Sequence, residues 1–240
     1  MSRLFLVRHG QASFLTEDYD RLSPLGVRQS ELLGDFWQKN GIRPTVAYAG
    51  TLKRQQDTAA AVARRFEAAG DQFCDVDTRT GLNEYPADEL MAVIIPALVK
   101  TDPAVASEHQ ALEACVDDKS RYRHIHRLLE AMMTAWVNDS VDLAGSGLPS
   151  WAAFSSGVRE VLIDIFDNAP SGSDVAVFTS GGPIGIAVQT VLSAPELTAA
   201  ALNWRVHNAS VTPMTFSKGR ASLDAFNIVE HLPLETRTYR

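Results

Sequence analysis

The sequence has few cysteines, no long apolar run and no excess of basic residues. Its two cysteines, Cys74 and Cys115, lie far apart and lack metal-ligand spacing, so neither a disulfide framework nor a cysteine metal site is expected. No apolar run approaches the length of a membrane span. Only four apolar residues separate Arg3 from Arg8, which is too few for a signal-peptide core. These absences predict a cytoplasmic protein with no membrane partner.

The charge balance argues against a further class of partners. The chain has 22 lysines and arginines against 29 acidic residues, for a net charge of −7. A net negative chain is a poor match for nucleic acid or for an anionic membrane. An anionic substrate would therefore need a local basic pocket. With 240 residues, 45% of them hydrophobic and 21% charged, the chain can form one α/β domain with a full core.

A short apolar segment at the start of the chain leads directly into two polar side chains. Leu4 to Val7 are apolar and are followed by Arg8-His9-Gly10. Such a run ending in glycine predicts a buried parallel strand with a loop at its carboxyl end, where open α/β sheets bind ligands. Arginine offers a rigid fork of donors that suits phosphate, and neutral imidazole is a nucleophile at neutral pH.

The rest of the chain alternates strand and helix patterns. Ser23-Pro24 predicts the cap and first turn of a helix that ends at Gly41. Further strands are predicted over 45–49, 73–76, 175–178, 211–216 and 223–229, helices over 52–69 and 151–168, and a polar loop over 11–21. From Glu84 to Ser150 the pattern is helical and interrupted by prolines, which predicts a helical insertion (about 85–150) acting as a lid. We therefore predict one domain, 1–240, with a sheet covered on both faces.

Several of these segments resemble the motifs of the histidine phosphatase superfamily, also called phosphoglycerate mutase-like. Arg8-His9-Gly10 follows the first strand, Arg54 follows the second and Glu84 follows the third. The resemblance implies a three-layer α/β/α sandwich with a mixed, mostly parallel central sheet. It also implies a phosphohistidine on His9, phosphate binding by Arg8 and Arg54, and Glu84 as proton donor. No metal or organic cofactor is implied, because the arginines supply the positive charge.

The sequence departs from the superfamily pattern after the strand at 175–178. There the superfamily has a second histidine that contacts the phosphate, whereas this chain has Ser180, followed by Gly181. Serine donates one hydrogen bond but carries no charge, and the loss of one preorganised donor typically costs about a hundredfold to a thousandfold in rate. Ser180 and Gly181 are predicted to form a weak fourth phosphate contact. His207 is the first candidate to replace the missing imidazole.

Several functions are compatible with these residues. The first is a phosphomonoester hydrolase for a small phosphorylated substrate, which would also bind inorganic phosphate. The second is a catalytically impaired member that binds a phosphorylated ligand or partner. The third is a phosphoglycerate-type mutase, which Ala12, Leu15 and Gln56 disfavour because mutase-like members carry other residues there. A serine hydrolase using Ser180 is disfavoured because Phe178 stands where the nucleophile elbow requires glycine.

Overall fold

The structure is a computed structural model that describes residues 1–13 and 20–239. The predicted loop over 11–21 lies partly outside the described residues, and Leu15 lies wholly outside them. The described helices and strands are β1 (Ser2–Arg8), α1 (Pro24–Lys39), β2 (Val46–Ala49), α2 (Lys53–Ala68), β3 (Val76–Thr78), α3 (Ala87–Thr101), α4 (Pro103–Glu113), α5 (Asp118–Val137), α6 (Trp151–Asn168), β4 (Asp174–Thr179), α7 (Gly181–Val191), α8 (Glu196–Asn203), β5 (Val211–Ser217) and β6 (Arg220–Leu223). Short 3-10 turns cover Thr80–Leu82 and Leu234–Thr236.

The strands within the described residues form one sheet in the order β3-β2-β4-β1-β5-β6. Strands β1 to β4 pair in parallel, whereas β5 is antiparallel to β1 and to β6. The mixed, mostly parallel sheet implied by the family resemblance is confirmed. Its two central strands, β4 and β1, end at the same edge, so the segments that follow them are neighbours.

Helices cover both faces of the sheet. On one face, Phe5 of β1 packs with Trp37 of α1 and Phe66 of α2 in a buried cluster, and the Phe5 and Trp37 ring centroids are 5.7 Å apart. The register of β5 places Phe216 on the opposite face. There its ring centroid lies 5.1 Å from that of Phe166 in α6. This arrangement confirms the predicted three-layer sandwich.

Helix α1 begins where the sequence predicts and touches the loop after β1. The Ser23 hydroxyl accepts the Gly26 N–H at 3.0 Å, with Pro24 in the first turn. The chain leaves the helix through Gly41, whose φ of +69° suits glycine. A Cβ placed on Gly10 would lie 2.3 Å from the Gly26 carbonyl oxygen, and one on Gly26 would lie 2.1 Å from that of Gln11. The helix start and the loop therefore meet at backbone contact.

Two strand predictions are wrong in position. Strand β3 overlaps the predicted 73–76 only at Val76, because Phe73 packs its ring against that of Phe66, with centroids 5.1 Å apart, instead of joining the sheet. Strand β6 ends where the predicted 223–229 begins, and beyond it the chain contacts β5 through single hydrogen bonds and an isolated bridge at Ile228 instead of a continuous strand. Helix α8 was not predicted, because its eight residues are too few to show a helical period.

The chain divides into two compact units. Residues Met1–Glu84 and Ser156–Arg240 form the first, which contains the sheet, and Tyr85–Ser155 form the second. The second unit contains α3, α4 and α5 and corresponds in sequence to the predicted helical insertion. The Trp136 ring anchors its interior, with centroids 5.4 Å from Tyr85 and 5.2 Å from Trp151. The single-domain assignment and the lid role remain predictions.

Taken one at a time, the helices in the described part of the chain are too short or too polar to cross a membrane. Only α3 and α4 counted together reach that length and apolar character, and they are bent by 120° at the break between them.

A buried histidine near the chain end makes stability depend on pH. The His231 ring lies 5.9 Å from the Phe36 ring, and its Nε2 donates to the Ala209 carbonyl at 2.9 Å. Burial lowers the pKa of His231 to about 4. The folded protein keeps this ring neutral, whereas the unfolded chain takes up a proton as the pH falls through about 6.5. The free energy of unfolding therefore falls by about 3 kcal/mol between those two pKa values.

The substitution His231→Gln should remove this pH dependence while keeping an amide donor for Ala209. Urea unfolding near pH 7.5 and near pH 5 should show that the wild type loses about 2 kcal/mol more than the variant on acidification. Equal losses of unfolding free energy in the two proteins would contradict the assignment of this pH dependence to His231.

Candidate active site

The candidate site lies at the carboxyl end of β1, where the backbone is held from both sides. The Arg8 N–H donates to the Ser210 carbonyl at 3.1 Å, and the His9 N–H donates to the Thr179 carbonyl at 2.8 Å. The His9 carbonyl accepts the N–H of Ala209 at 3.2 Å. Ala209 adopts a left-handed φ of +53°, which a non-glycine residue keeps only where its surroundings hold it. The backbone that presents His9 is therefore fixed by β4 and by the loop before β5.

His9 is a buried imidazole with a defined tautomer. The residue is 5% exposed, and its Nδ1 lies 2.7 Å from the Gly10 carbonyl oxygen. Because a carbonyl only accepts hydrogen bonds, Nδ1 carries the proton and Nε2 carries the lone pair. Burial holds the pKa of His9 well below 6.5, and the positive charges of Arg8 and Arg54 lower it further. At neutral pH the ring is therefore neutral, as a nucleophile requires.

Arg54 lies in the first turn of α2 and contacts a carboxylate. Its Nη1 donates to Asp20 at 2.7 Å, and the other Asp20 oxygen accepts the Lys53 N–H at 2.8 Å. A guanidinium combined with a helix-start N–H is a donor set that suits anions. The Thr58 hydroxyl connects this turn to the loop after β1, because it donates to the Arg54 carbonyl and accepts the Gly10 N–H.

Arg8 is held by backbone carbonyls from the end of the chain. Its Nη1 donates to Val206 and, at 2.9 Å, to Tyr239. The Tyr239 ring stacks on His207 with centroids 3.9 Å apart. Partial burial lowers the pKa of His207, and nearby arginines that include Arg8 lower it further. His207 is thus a neutral ring in the neighbourhood of Arg8, and its role as a substitute for the missing histidine remains a prediction.

Glu84 is hydrogen-bonded at the start of helix α7. Its two carboxylate oxygens lie 3.1 and 3.2 Å from the Gly182 N–H. The amino end of a helix carries partial positive charge and attracts carboxylates. The predicted acid therefore lies beside the turn that contains Ser180 and Gly181.

Ser180 is buried and faces the protein interior. None of its surface is exposed, and its Oγ accepts the Gln55 Nε2–H at 2.9 Å. An amide donor on the hydroxyl oxygen is not the base that a serine nucleophile needs, which further disfavours a serine hydrolase. A Cβ on Gly181 would lie 2.3 Å from Asn203 Oδ1, so a side chain here would require the Asn203 amide to move. The predicted contacts of Ser180 and Gly181 with phosphate remain predictions.

The positive charge of the site comes from guanidinium groups. The positive charges of Arg8 and Arg54 both lower the pKa of the His9 ring. In residues 1–13 and 20–239, no three histidine, cysteine, aspartate or glutamate side chains are grouped so that they could hold a metal ion.

Two polar residues of this region were not predicted from the sequence. Gln55 lies on the buried face of α2, at helical spacing from Ala59, Val62 and Phe66. That spacing could have marked it as a polar residue in an apolar stripe. Asp20 follows no pattern, and its contact with Arg54 is visible only in three dimensions.

The sequence order of these segments matches a known family. The profile of the histidine phosphatase superfamily (branch 1) matches residues 4–111 and 113–229. The chain belongs to this superfamily. No curated protein sequence matches it.

Solved structures similar to this superfamily member include phosphatases and a mutase. A mutant phosphoserine phosphatase from Entamoeba histolytica, in complex with phosphoserine, has 18% identity and a TM-score of 0.63, covering 97% of this chain and 100% of that one. Phosphoglycerate mutase from Bacillus anthracis has 19% identity and a TM-score of 0.63, with 96% and 94% covered. A mycobacterial glucosyl-3-phosphoglycerate phosphatase, in complex with inorganic phosphate, has 20% identity and a TM-score of 0.62, with 96% and 99% covered. The likeness shows a phosphoglycerate mutase-like fold.

The tautomer of His9 in this superfamily member is directly measurable. At pH 6 the ring should be neutral, with its proton on Nδ1, because burial and two neighbouring cations disfavour the charged form. Nitrogen NMR of histidine-labelled protein tests this, and the spectrum of His9→Ala assigns the signal. A ring protonated at pH 6, or one with its proton on Nε2, would refute the electrostatic description.

Proposed function

We propose that the protein is a phosphomonoester hydrolase that forms a phosphohistidine intermediate on His9. The observation that carries this proposal is a buried neutral imidazole, with its lone pair on Nε2, under the positive charges of Arg8 and Arg54. Membership of the superfamily supports an enzyme that acts on phosphate compounds. The structurally similar phosphatases support the same class.

In the first step, His9 Nε2 attacks phosphorus and the bond to the ester oxygen breaks. Arg8 and Arg54 stabilise the charge that is spread over the phosphoryl oxygens, which is the main contribution a protein makes to such a transfer. Glu84 donates a proton to the departing oxygen. The products of this step are a free alcohol and a phosphorylated His9.

In the second step, water attacks the phosphohistidine. The Glu84 carboxylate takes the proton of this water, the bond between nitrogen and phosphorus breaks, and inorganic phosphate forms. His9 returns to its neutral form and Glu84 is again protonated. Both steps use side chains of this chain alone.

The first substrates to test are small phosphomonoesters. The similar phosphatase structures contain phosphoserine and inorganic phosphate. We propose ligands of this size for the present chain, because Arg8 and Arg54 recognise the phosphate group whatever alcohol it carries.

Hydrolysis of p-nitrophenyl phosphate tests the proposal. The wild type should release phosphate, and His9→Ala should lose at least about a thousandfold of that rate, because no other imidazole replaces a nucleophile. An acid-labile phosphohistidine should be trapped in the wild type and be absent from the variant. The matched control is His126→Ala on helix α5, which should leave the rate unchanged.

Two other outcomes are informative. Binding of phosphate without any turnover would identify a binding protein with an inactive site. Hydrolysis that survives His9→Ala would refute the assigned nucleophile.

A further inference from the structure

We propose that Gln55 is a positioning residue that sets the place of Glu84 relative to His9, an inference that rests on the function proposed above. The Gln55 side chain is wholly buried. Its Nε2 donates to the Leu82 carbonyl and to the Ser180 hydroxyl, both at 2.9 Å. The carboxamide thus joins the segment that leads into Glu84 to the turn after β4.

The Leu82 carbonyl is the meeting point of these bonds. It accepts the Gln55 amide and also the Thr179 hydroxyl, the latter at 2.6 Å. Leu82 precedes Glu84 by two residues, and the Glu84 carboxylate is bonded to Gly182 in the same turn region. The path of the chain up to the acid is therefore set by two buried donors.

The same network reaches the nucleophile and the phosphate-binding helix. The Thr179 carbonyl accepts the His9 N–H at 2.8 Å, so the residue that bonds Leu82 also bonds the backbone of His9. Gln55 itself follows Arg54 in the first turn of α2. The Gln55 carboxamide is therefore linked to the segments that carry the proposed nucleophile His9, the proposed acid Glu84 and the proposed phosphate-binding Arg54.

The chemistry of the carboxamide favours a positional role over a packing role. A carbonyl only accepts, so the Gln55 nitrogen must face Leu82, and its oxygen must face away. Within the described part of the chain, that buried oxygen has no hydrogen-bond donor. A Cβ placed on Gly50 would lie only 1.8 Å from this oxygen. An unpaired buried oxygen lowers stability, so an apolar residue of similar shape would suit packing better.

A pair of aryl phosphates separates this role from a general structural one. Phenolate is a poor leaving group that needs a proton from Glu84, whereas p-nitrophenolate leaves without one. The two substrates have similar shapes and the same phosphate. The kcat/KM value reports formation of the phosphohistidine, the step in which the leaving group departs.

The substitution Gln55→Met keeps the shape and removes both donors. It should lower kcat/KM for phenyl phosphate by about tenfold to a hundredfold, and that for p-nitrophenyl phosphate by less than about threefold. Gly50→Ala should give the same pattern, because its methyl group would lie 1.8 Å from the Gln55 carboxamide oxygen and 2.8 Å from Asn83 Oδ1, so both side chains beside the path to Glu84 must shift. Gln56→Met, at the exposed neighbouring position, is the matched control and should change neither value.

The outcomes distinguish this inference from the proposed function. Glu84→Gln should show the same selective loss, and an equal loss on both substrates would refute Glu84 as the acid. If Glu84→Gln is selective but Gln55→Met and Gly50→Ala reduce both substrates equally, Gln55 has only a structural role and the inference is overturned. A wild type that hydrolyses neither substrate would overturn both the proposed function and the inference.

Discussion

The site depends on keeping one imidazole uncharged beside two permanent cations. His9 is buried, and both burial and the charges of Arg8 and Arg54 oppose its protonation. Its Nδ1 proton is directed to the Gly10 carbonyl, and its backbone is held by Thr179. Tautomer, charge and position are thus set before any ligand arrives. In the proposed reaction, the cations that keep the ring neutral would also stabilise the phosphoryl group.

The local charge of the site is opposite to the net charge of the chain. The protein carries −7 overall, yet the positive charges of Arg8 and Arg54 both lower the pKa of the buried His9 ring. The Asp20 carboxylate contacts the Arg54 guanidinium and a helix-start N–H together, so a carboxylate of this chain already occupies two of these donors. The overall negative charge lowers the local concentration of anionic ligands, so in the proposed function such a ligand depends on these local donors.

Sequence patterns predicted the parts of this molecule that local chemistry determines. The apolar run before Arg8, the Ser23 cap and the parallel strand ends were predictable, because period, capping and sheet topology follow from residue type. The family resemblance placed His9 and Arg54 in one site, and the Thr58 hydroxyl, which bonds both Gly10 and Arg54, shows that their segments are neighbours. The bond between Gln55 and Ser180 was not predictable, since it joins residues 125 positions apart. The segment 73–76 misled because ring packing against Phe66, rather than strand pairing, explains the burial of Phe73.

The contact between Gly10 and Gly26 has a consequence for how this protein can change. A Cβ on Gly10 or on Gly26 would collide with a backbone carbonyl oxygen of the facing segment. Neither glycine supplies a functional group, so an activity screen aimed at chemistry would overlook both. A library randomised at the two codons and selected for folded protein would nevertheless return glycine at each.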